Sequence, residues 1–195
     1  EYAIRSLPYV IKNAPSLVYL IIGQTHPEVL KREGETYRNG LIKLVSELKL
    51  EKHVRFNNRF LSKRELIKYL QATDIYLTPY ISPNQISSGA LTYALGAGKA
   101  VVSTPYFHAQ ETINANRGVL CEFNDPVSLA QGINSLLDEK YRKSLQRRVY
   151  QYSRRFLWSN VARTYGEVFN AVINNHRCIE LGVTPCKIRL PQSTY

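Results

Sequence analysis

A chain of 195 residues with 44% hydrophobic content can bury one good α/β core and is too short for two full domains of that class. No apolar run approaches about 18 residues and no charged-then-apolar leader opens the chain, so it reads as a cytoplasmic protein without a helical membrane span or signal peptide. The formal charge of +11 invites a polyanionic partner, and the three cysteines, Cys121, Cys178 and Cys186, lack CxxC or His-rich spacing, so they read as free thiols rather than a disulfide framework or a zinc site.

Glu1 to Asn13 places apolar residues at Tyr2, Ala3, Leu7, Val10 and Ile11, which predicts a helix with Pro8 inside it and Pro15 marking its end. Leu17 to Ile22 is a core strand closed by Gly23, and Gln24 to Glu33 reads as a polar loop at its carboxyl edge. His26 in that loop is a candidate ligand contact, with a plain loop hydrogen-bonder as the alternative. Tyr37, Leu41, Leu44, Val45 and Leu48 share one helical face, and His53 to Phe56 is a short strand leading to the Asn57–Arg59 loop. Ser62 and Glu65 form a capping box, so a helix starts there with Leu66, Ile67 and Leu70 inward.

Asn84 to Tyr106 organises the rest. Thr73 to Tyr80 in front of it reads as a buried strand. Ser87 or Ser88 caps a helix of roughly three turns, Gly98 supplies a left-handed exit, and KAVVST is a β-branched strand. The unit is strand, loop, helix, strand, with its loop at the carboxyl edge of a parallel sheet, where ligands bind. Ser87, Ser88 and Gly89 would offer free N–H groups and hydroxyls at the positive end of the helix, which attracts phosphate. The chain has no GxGxxG and no P-loop, so an ordinary N-cap is the competing reading.

His108 to Asn114 reads as a short helix, Gly118 to Phe123 as a strand, and Asn124-Asp125-Pro126 as the cap of a helix packed by Val127, Ala130, Ile133 and Leu137. Lys140 to Arg155 is an amphipathic basic helix carrying Lys140, Arg142, Lys143, Arg147, Arg148, Arg154 and Arg155. A solvated face, an anionic membrane surface and nucleic acid are the three readings open to it; no nucleic-acid-binding signature accompanies it, so no nucleic-acid partner is expected. Trp158, Val161, Ala162, Tyr165, Val168, Phe169, Val172 and Ile173 form a stripe that predicts a long, docked helix. Periodicity stops at His176, so residues 1–175 are expected to form one Rossmann-like domain and 176–195 a tail or linker. The alternation gives α/β: five strands in an open parallel sheet with helices on both faces. It begins on a helix, so a first strand is expected upstream.

Four segments, LVYLIIG, HVRFNNRFLSKRELIKYLQATDIYLTPY, GALTYALGAGKAVVSTPY and RGVLCEFNDPVSLAQGINSLL, together resemble the C-terminal, donor-binding domain of group 1 retaining glycosyltransferases with two Rossmann-like domains, over about Tyr2 to Val172. The resemblance implies a nucleotide-sugar donor, UDP-, GDP- or ADP-linked, used as substrate with no further cofactor and no metal. In the family two glutamates on the central helix and the loop amides hold the donor; here those glutamate positions are Gln85 and Tyr93, a neutral amide and a phenol that can bond hydroxyls but bring no negative charge. The implied donor site is Gln85, Ile86, Ser87, Ser88, Gly89 and Tyr93, with Arg59 and Phe60 near the base and His26 at the rim. No catalytic residue is assigned, since the family's catalytic histidine belongs to an N-terminal acceptor domain absent from this sequence. The implied function is the donor-binding half of an enzyme moving a hexose to a sugar or lipid-linked acceptor, inactive alone. A non-catalytic Rossmann-like interaction module with a degenerate site is the alternative.

Overall fold

The computed structural model describes residues 1–114 and 116–180, side chains of 175–180 excepted. Cys186 and the segment 181–195 lie outside the described residues, as does the Cys178 side chain. Cys121 is buried and free, and burial pushes its thiol up. Two compact units form, Glu1–Gln151 and the chain from Tyr152 on.

The first unit runs α1 (Tyr2–Val10), β1 (Tyr19–Ile22), α2 (Pro27–Glu33), α3 (Thr36–Glu47), β2 (Val54–Asn57), α4 (Lys63–Ala72), β3 (Ile75–Thr78), α5 (Gly89–Gly96), β4 (Ala100–Ser103), α6 (Phe107–Thr112), β5 (Gly118–Leu120), α7 (Pro126–Ser135) and most of α8 (Glu139–Ser153). All pairings are parallel. β1 pairs with β2, Ile22 opposite Asn57; β3 pairs with β4, Thr78 opposite Ser103; and β4 pairs with β5, Ser103 opposite Leu120. The expected single sheet is corrected here: the five strands form a two-stranded and a three-stranded group, β2-β1 and β3-β4-β5. Parallel strands in open sheets, alternating with helices along the chain, make this a Rossmann-like α/β fold.

β4 shows why helices cover both faces. It is buried throughout, and its side chains alternate: Ala100 and Val102 join Val10 of α1, Leu129 and Ile133 of α7 and Leu145 of α8, whereas Val101 joins Leu91 and Leu95 of α5, Ile113 at the end of α6, and Val149 of α8. Leu91 and Leu95 are fully buried, and each such side chain contributes about 2 kcal/mol by leaving water, which clamps α5 to the sheet. A third cluster sets Ile4 and Leu7 of α1 against Leu44 and Val45 of α3 and Val54 of β2. α1 thereby contributes to the cores of both strand groups.

Local signals place several boundaries. Ser62 and Glu65 close the capping box of α4 in both directions, and Asp125 accepts from Val127 and Ser128 N–H with Pro126 at the first position of α7. Four expectations change. The polar loop Gln24–Glu33 is largely α2, a helix with no buried residue, capped by His26 and started by Pro27, so it left no hydrophobic period to read. α5 has eight residues, short of three turns, because Ala97 already closes it and Gly98 follows at φ +67°. The strand expected to reach Phe123 stops at Leu120, ahead of the positive-φ residue Asn124. α6 spans Phe107 to Thr112 rather than His108 to Asn114.

The second unit holds a short 3-10 turn, Arg154–Phe156, and α9 (Trp158–Glu180), which continues past His176 where the periodicity ends. Within α9, Trp158 is 86% accessible, and Tyr165, Phe169 and Ile173 are all more than half so. Its periodicity specifies a helix without specifying a partner.

Candidate functional site

Because all strands are parallel, the loops after β1, β2, β3 and β4 leave from the carboxyl edges of their sheets. The β3–α5 loop, 79–88, is the most heavily braced. Beneath it, Thr78 Oγ1 donates to Ser103 Oγ at 2.7 Å, the Tyr106 hydroxyl donates to Thr78 Oγ1 at 3.2 Å, and Thr104 Oγ1 donates to the Tyr80 carbonyl at 2.6 Å. These side chains of β3, β4 and the β4–α6 loop are buried; the ring of Tyr80, in the loop itself and 38% exposed, meets Tyr106 edge-on with centroids 4.9 Å apart. Burial raises the Tyr106 phenol, keeping it neutral as a donor.

Along the loop, the N–H of Phe107 donates to the Pro83 carbonyl at 3.1 Å and that of His108 to the Gln85 carbonyl at 3.3 Å. The first turn of α6 thus spends its free donors on the loop. Ser88 is only 3% exposed and is fully committed: its Oγ accepts from Leu91 N–H as the cap of α5, and its own N–H donates to His108 Nδ1 at 2.9 Å. The expectation of a free Ser88 N–H is therefore corrected, since the imidazole occupies it. Ser87, Gly89 and Ala90 are exposed, and among the described residues no acceptor takes their N–H groups. Three amides at the positive end of α5 remain open to an anion.

The other named residues stand as follows. The Gln85 side-chain amide donates to the Ser87 carbonyl, bracing the turn, while Ile86 is exposed. Tyr93, one helical turn after Gly89, is 44% exposed. Arg59 lies after β2 in an ion pair with Glu65 at 2.7 Å, and the neighbouring Phe60 is 83% exposed. His26 Nδ1 accepts from Glu28 N–H at 3.3 Å, the work of an N-cap. Gln85 to Tyr93 thus form one connected group on a single loop and helix, and Arg59, Phe60 and His26 sit on the loops of the two-stranded sheet without a direct bond to it among the described residues.

Sequence reasoning missed three contributors. Arg38 on α3 ties the β1 and β2 loops together, donating to the Gly23 carbonyl at 2.8 Å, to Thr25 Oγ1 at 3.2 Å and to Asn58 Oδ1. His108 and Tyr106 hold the β3–α5 loop and the end of β3 from 20 and 28 residues away in sequence, in the pairs His108–Ser88 and Tyr106–Thr78. Nothing in the local sequence announces such pairs; a basic residue inside the amphipathic α3 was the nearest signal. Two shallow grooves of about 380 and 410 Å³ instead lie along α8, lined by Lys143 and Arg147, one of them at the Gly98 end of α5, opposite Ser88.

A family model described as "Glycosyl transferases group 1" matches residues 1–156. An uncharacterized glycosyltransferase of Methanocaldococcus jannaschii, MJ1069, is 26% identical over 172 residues, 86% of this chain and 40% of that protein. Among solved structures, the C-terminal domain of the group 1 glycosyl transferase LpcC from Francisella tularensis aligns with a TM-score of 0.66 at 20% identity, over 77% of this chain and 74% of that one. Anabaena HepE, solved in complex with UDP-glucose, aligns with a TM-score of 0.73 at 17% identity over 87% of this chain and 44% of its own. The likeness to these structures is one of fold. The chain spans 40% of the length of MJ1069 and 44% of that of HepE.

Proposed function

The chain belongs to the group 1 glycosyl transferase family, and from that premise we propose that it is the nucleotide-sugar-binding half of a retaining glycosyltransferase, completed by an N-terminal acceptor domain and inactive without it. The observation that carries the reading is the set of three open amides, Ser87, Gly89 and Ala90, on a loop braced by buried hydrogen bonds at the positive end of α5. Backbone donors fixed before the ligand arrives lose little entropy on binding, which suits a diphosphate.

In this reading the three amides take the diphosphate. Gln85 and Tyr93 offer an amide and a phenol to sugar and ribose hydroxyls, and Arg59 and Phe60 meet the base, Phe60 by stacking its exposed ring. Ile86 and His26 form the rim. Because Glu65 already neutralises Arg59, base recognition leans on Phe60. The donor, UDP-, GDP- or ADP-linked, is a substrate, and no cofactor is invoked. UDP-glucose bound to HepE, a protein of the same fold, supports a nucleotide-sugar ligand. The hexose would pass to a sugar or lipid-linked acceptor on the cytoplasmic side, with the basic face of α8 toward an anionic membrane. The alternative, an interaction module with a degenerate site, predicts that no nucleoside diphosphate binds. Calorimetry with UDP, GDP and ADP separates the two.

A further inference from the structure

Ser88 is buried, so its N–H must find an acceptor inside the protein or cost the full loss of a hydrogen bond to water. The acceptor it finds is His108 Nδ1, 2.9 Å away on another helix. An imidazole nitrogen accepts only when it carries no proton, so this bond fixes the neutral tautomer with hydrogen on Nε2. The two other bonds of the seam, Phe107 N–H to Pro83 and His108 N–H to Gln85, run from backbone to backbone and do not titrate. His108 is the point at which the loop's hold depends on a protonation state.

We propose that His108 is a positioning residue for the donor site: its neutral Nδ1 holds the Ser88 amide, and through it sets the direction of the flanking Ser87, Gly89 and Ala90 amides that face the diphosphate. The inference rests on the reading of those amides as the diphosphate cradle. His108 itself need not touch the ligand. Burial lowers its pKa, against the opposing field of Glu111 on the same helix, so the imidazole is neutral at pH 7. The other titratable groups around the contact are the Tyr80 and Tyr106 phenols, the first with its oxygen 3.3 Å from Ser88 Oγ and the second held neutral by burial. Protonating Nδ1 sets one N–H against another, and the loop loses its anchor. Donor affinity should therefore fall as pH drops through the imidazole titration.

The test uses the full chain as wild type, His108→Asn and His108→Leu, between pH 7.5 and 5. Two quantities are followed: hydrogen exchange at the Ser88 amide, corrected for intrinsic rates, and affinity for UDP, GDP and ADP. In Asn, Oδ1 stands where Nδ1 stood and accepts without titrating. The wild type should lose roughly tenfold in Ser88 protection and in nucleotide affinity as His108 protonates; His108→Asn should keep both at every pH, and His108→Leu should lack both throughout. Ser88 protection that ignores the His108 titration, or His108→Asn retaining the wild-type pH dependence, overturns the inference. Protection that follows His108 while none of the three nucleotides binds supports the anchor and overturns the diphosphate reading instead. Nucleotide affinity indifferent both to pH and to His108→Leu overturns the positioning role alone.

Discussion

Gly98 and Tyr150 approach so closely that a Cβ at Gly98 would stand 3.1 Å from the Tyr150 Cβ, and Gly98 holds φ at +67°. Both facts exclude a β-branched residue: the left-handed conformation strains it, and α8 blocks the space. Gly98→Val should destabilise by well over about 1 kcal/mol, while Gly98→Asn, which tolerates the left-handed region, should lose less for its backbone and retain the steric cost. Urea unfolding of the two variants measures the difference, and a Val variant with an unshifted midpoint would show that α5 leaves by another route.

Cys121 and Gly132 form a second close approach, where β5 has given way to the following loop and α7 passes over it. A Cβ on Gly132 would lie 2.5 Å from Cys121 Sγ and 3.1 Å from a Val102 methyl. Gly132→Ala should therefore cost about 1–3 kcal/mol despite the better helix propensity of alanine. Trimming the obstacle in Gly132→Ala/Cys121→Ala should recover part of that loss, and a double-mutant cycle read by thermal melting checks it.

Glu65 carries the acid sensitivity of α4. The Ser62 hydroxyl and N–H donate to its carboxylate and Arg59 pairs with it, which holds its pKa down to about 2 against an ordinary 4.5. A folded pKa below the unfolded one means that the contribution is present above about pH 4.5 and is lost as pH falls toward 2. Glu65→Gln should flatten the dependence of the urea midpoint on pH within that window and leave it unaltered above it.

Much of this architecture was legible locally. The capping box of Ser62 and Glu65, Pro126 behind Asp125, Gly98 after α5 and the β-branched run Ala100–Ser103 each obey chemistry that spans fewer than five residues, and each fell within a residue or two of its expected place. What failed was long-range or unburied. α2 hides no residue and so leaves no period. The division of the strands depends on pairing order, which no single segment encodes. At the site, the loop sequence pointed to Ser87–Gly89, but the loss of the Ser88 donor to His108 could not be read, since that contact joins residues 20 apart.

The basic helix is less available than its composition implies. Arg142 caps the carbonyls of Leu136 and Leu137, Arg148 holds the Asn116 carbonyl at 2.8 Å, and Lys143 pairs with Glu139. Exposed Lys140 and Arg147 should then carry most of any attraction to an anionic surface, at about 1 kcal/mol each. Vesicles containing phosphatidylglycerol should sediment with the chain at low salt, zwitterionic vesicles should not, and Lys140→Glu/Arg147→Glu should weaken the association without altering the fold. Equal binding to both lipids, or to neither, would leave this face with no membrane role.

The central claim is that the open amides before and within the first turn of α5 hold a diphosphate. Ser88 is a poor place to test it, because a buried residue with committed N–H and hydroxyl groups would fail for reasons of packing. Gly89 is suited: it is exposed, its φ is ordinary, and a Cβ there would meet nothing within 4 Å. A glutamate at that position favours the helix start while placing a carboxylate where the phosphates would lie. The decisive measurement is isothermal titration of UDP, GDP and ADP into the wild type and Gly89→Glu. The account predicts that at least one of the three binds the wild type and that Gly89→Glu abolishes this binding with an unchanged melting temperature; binding of none of them, or undiminished binding to the folded variant, would contradict it.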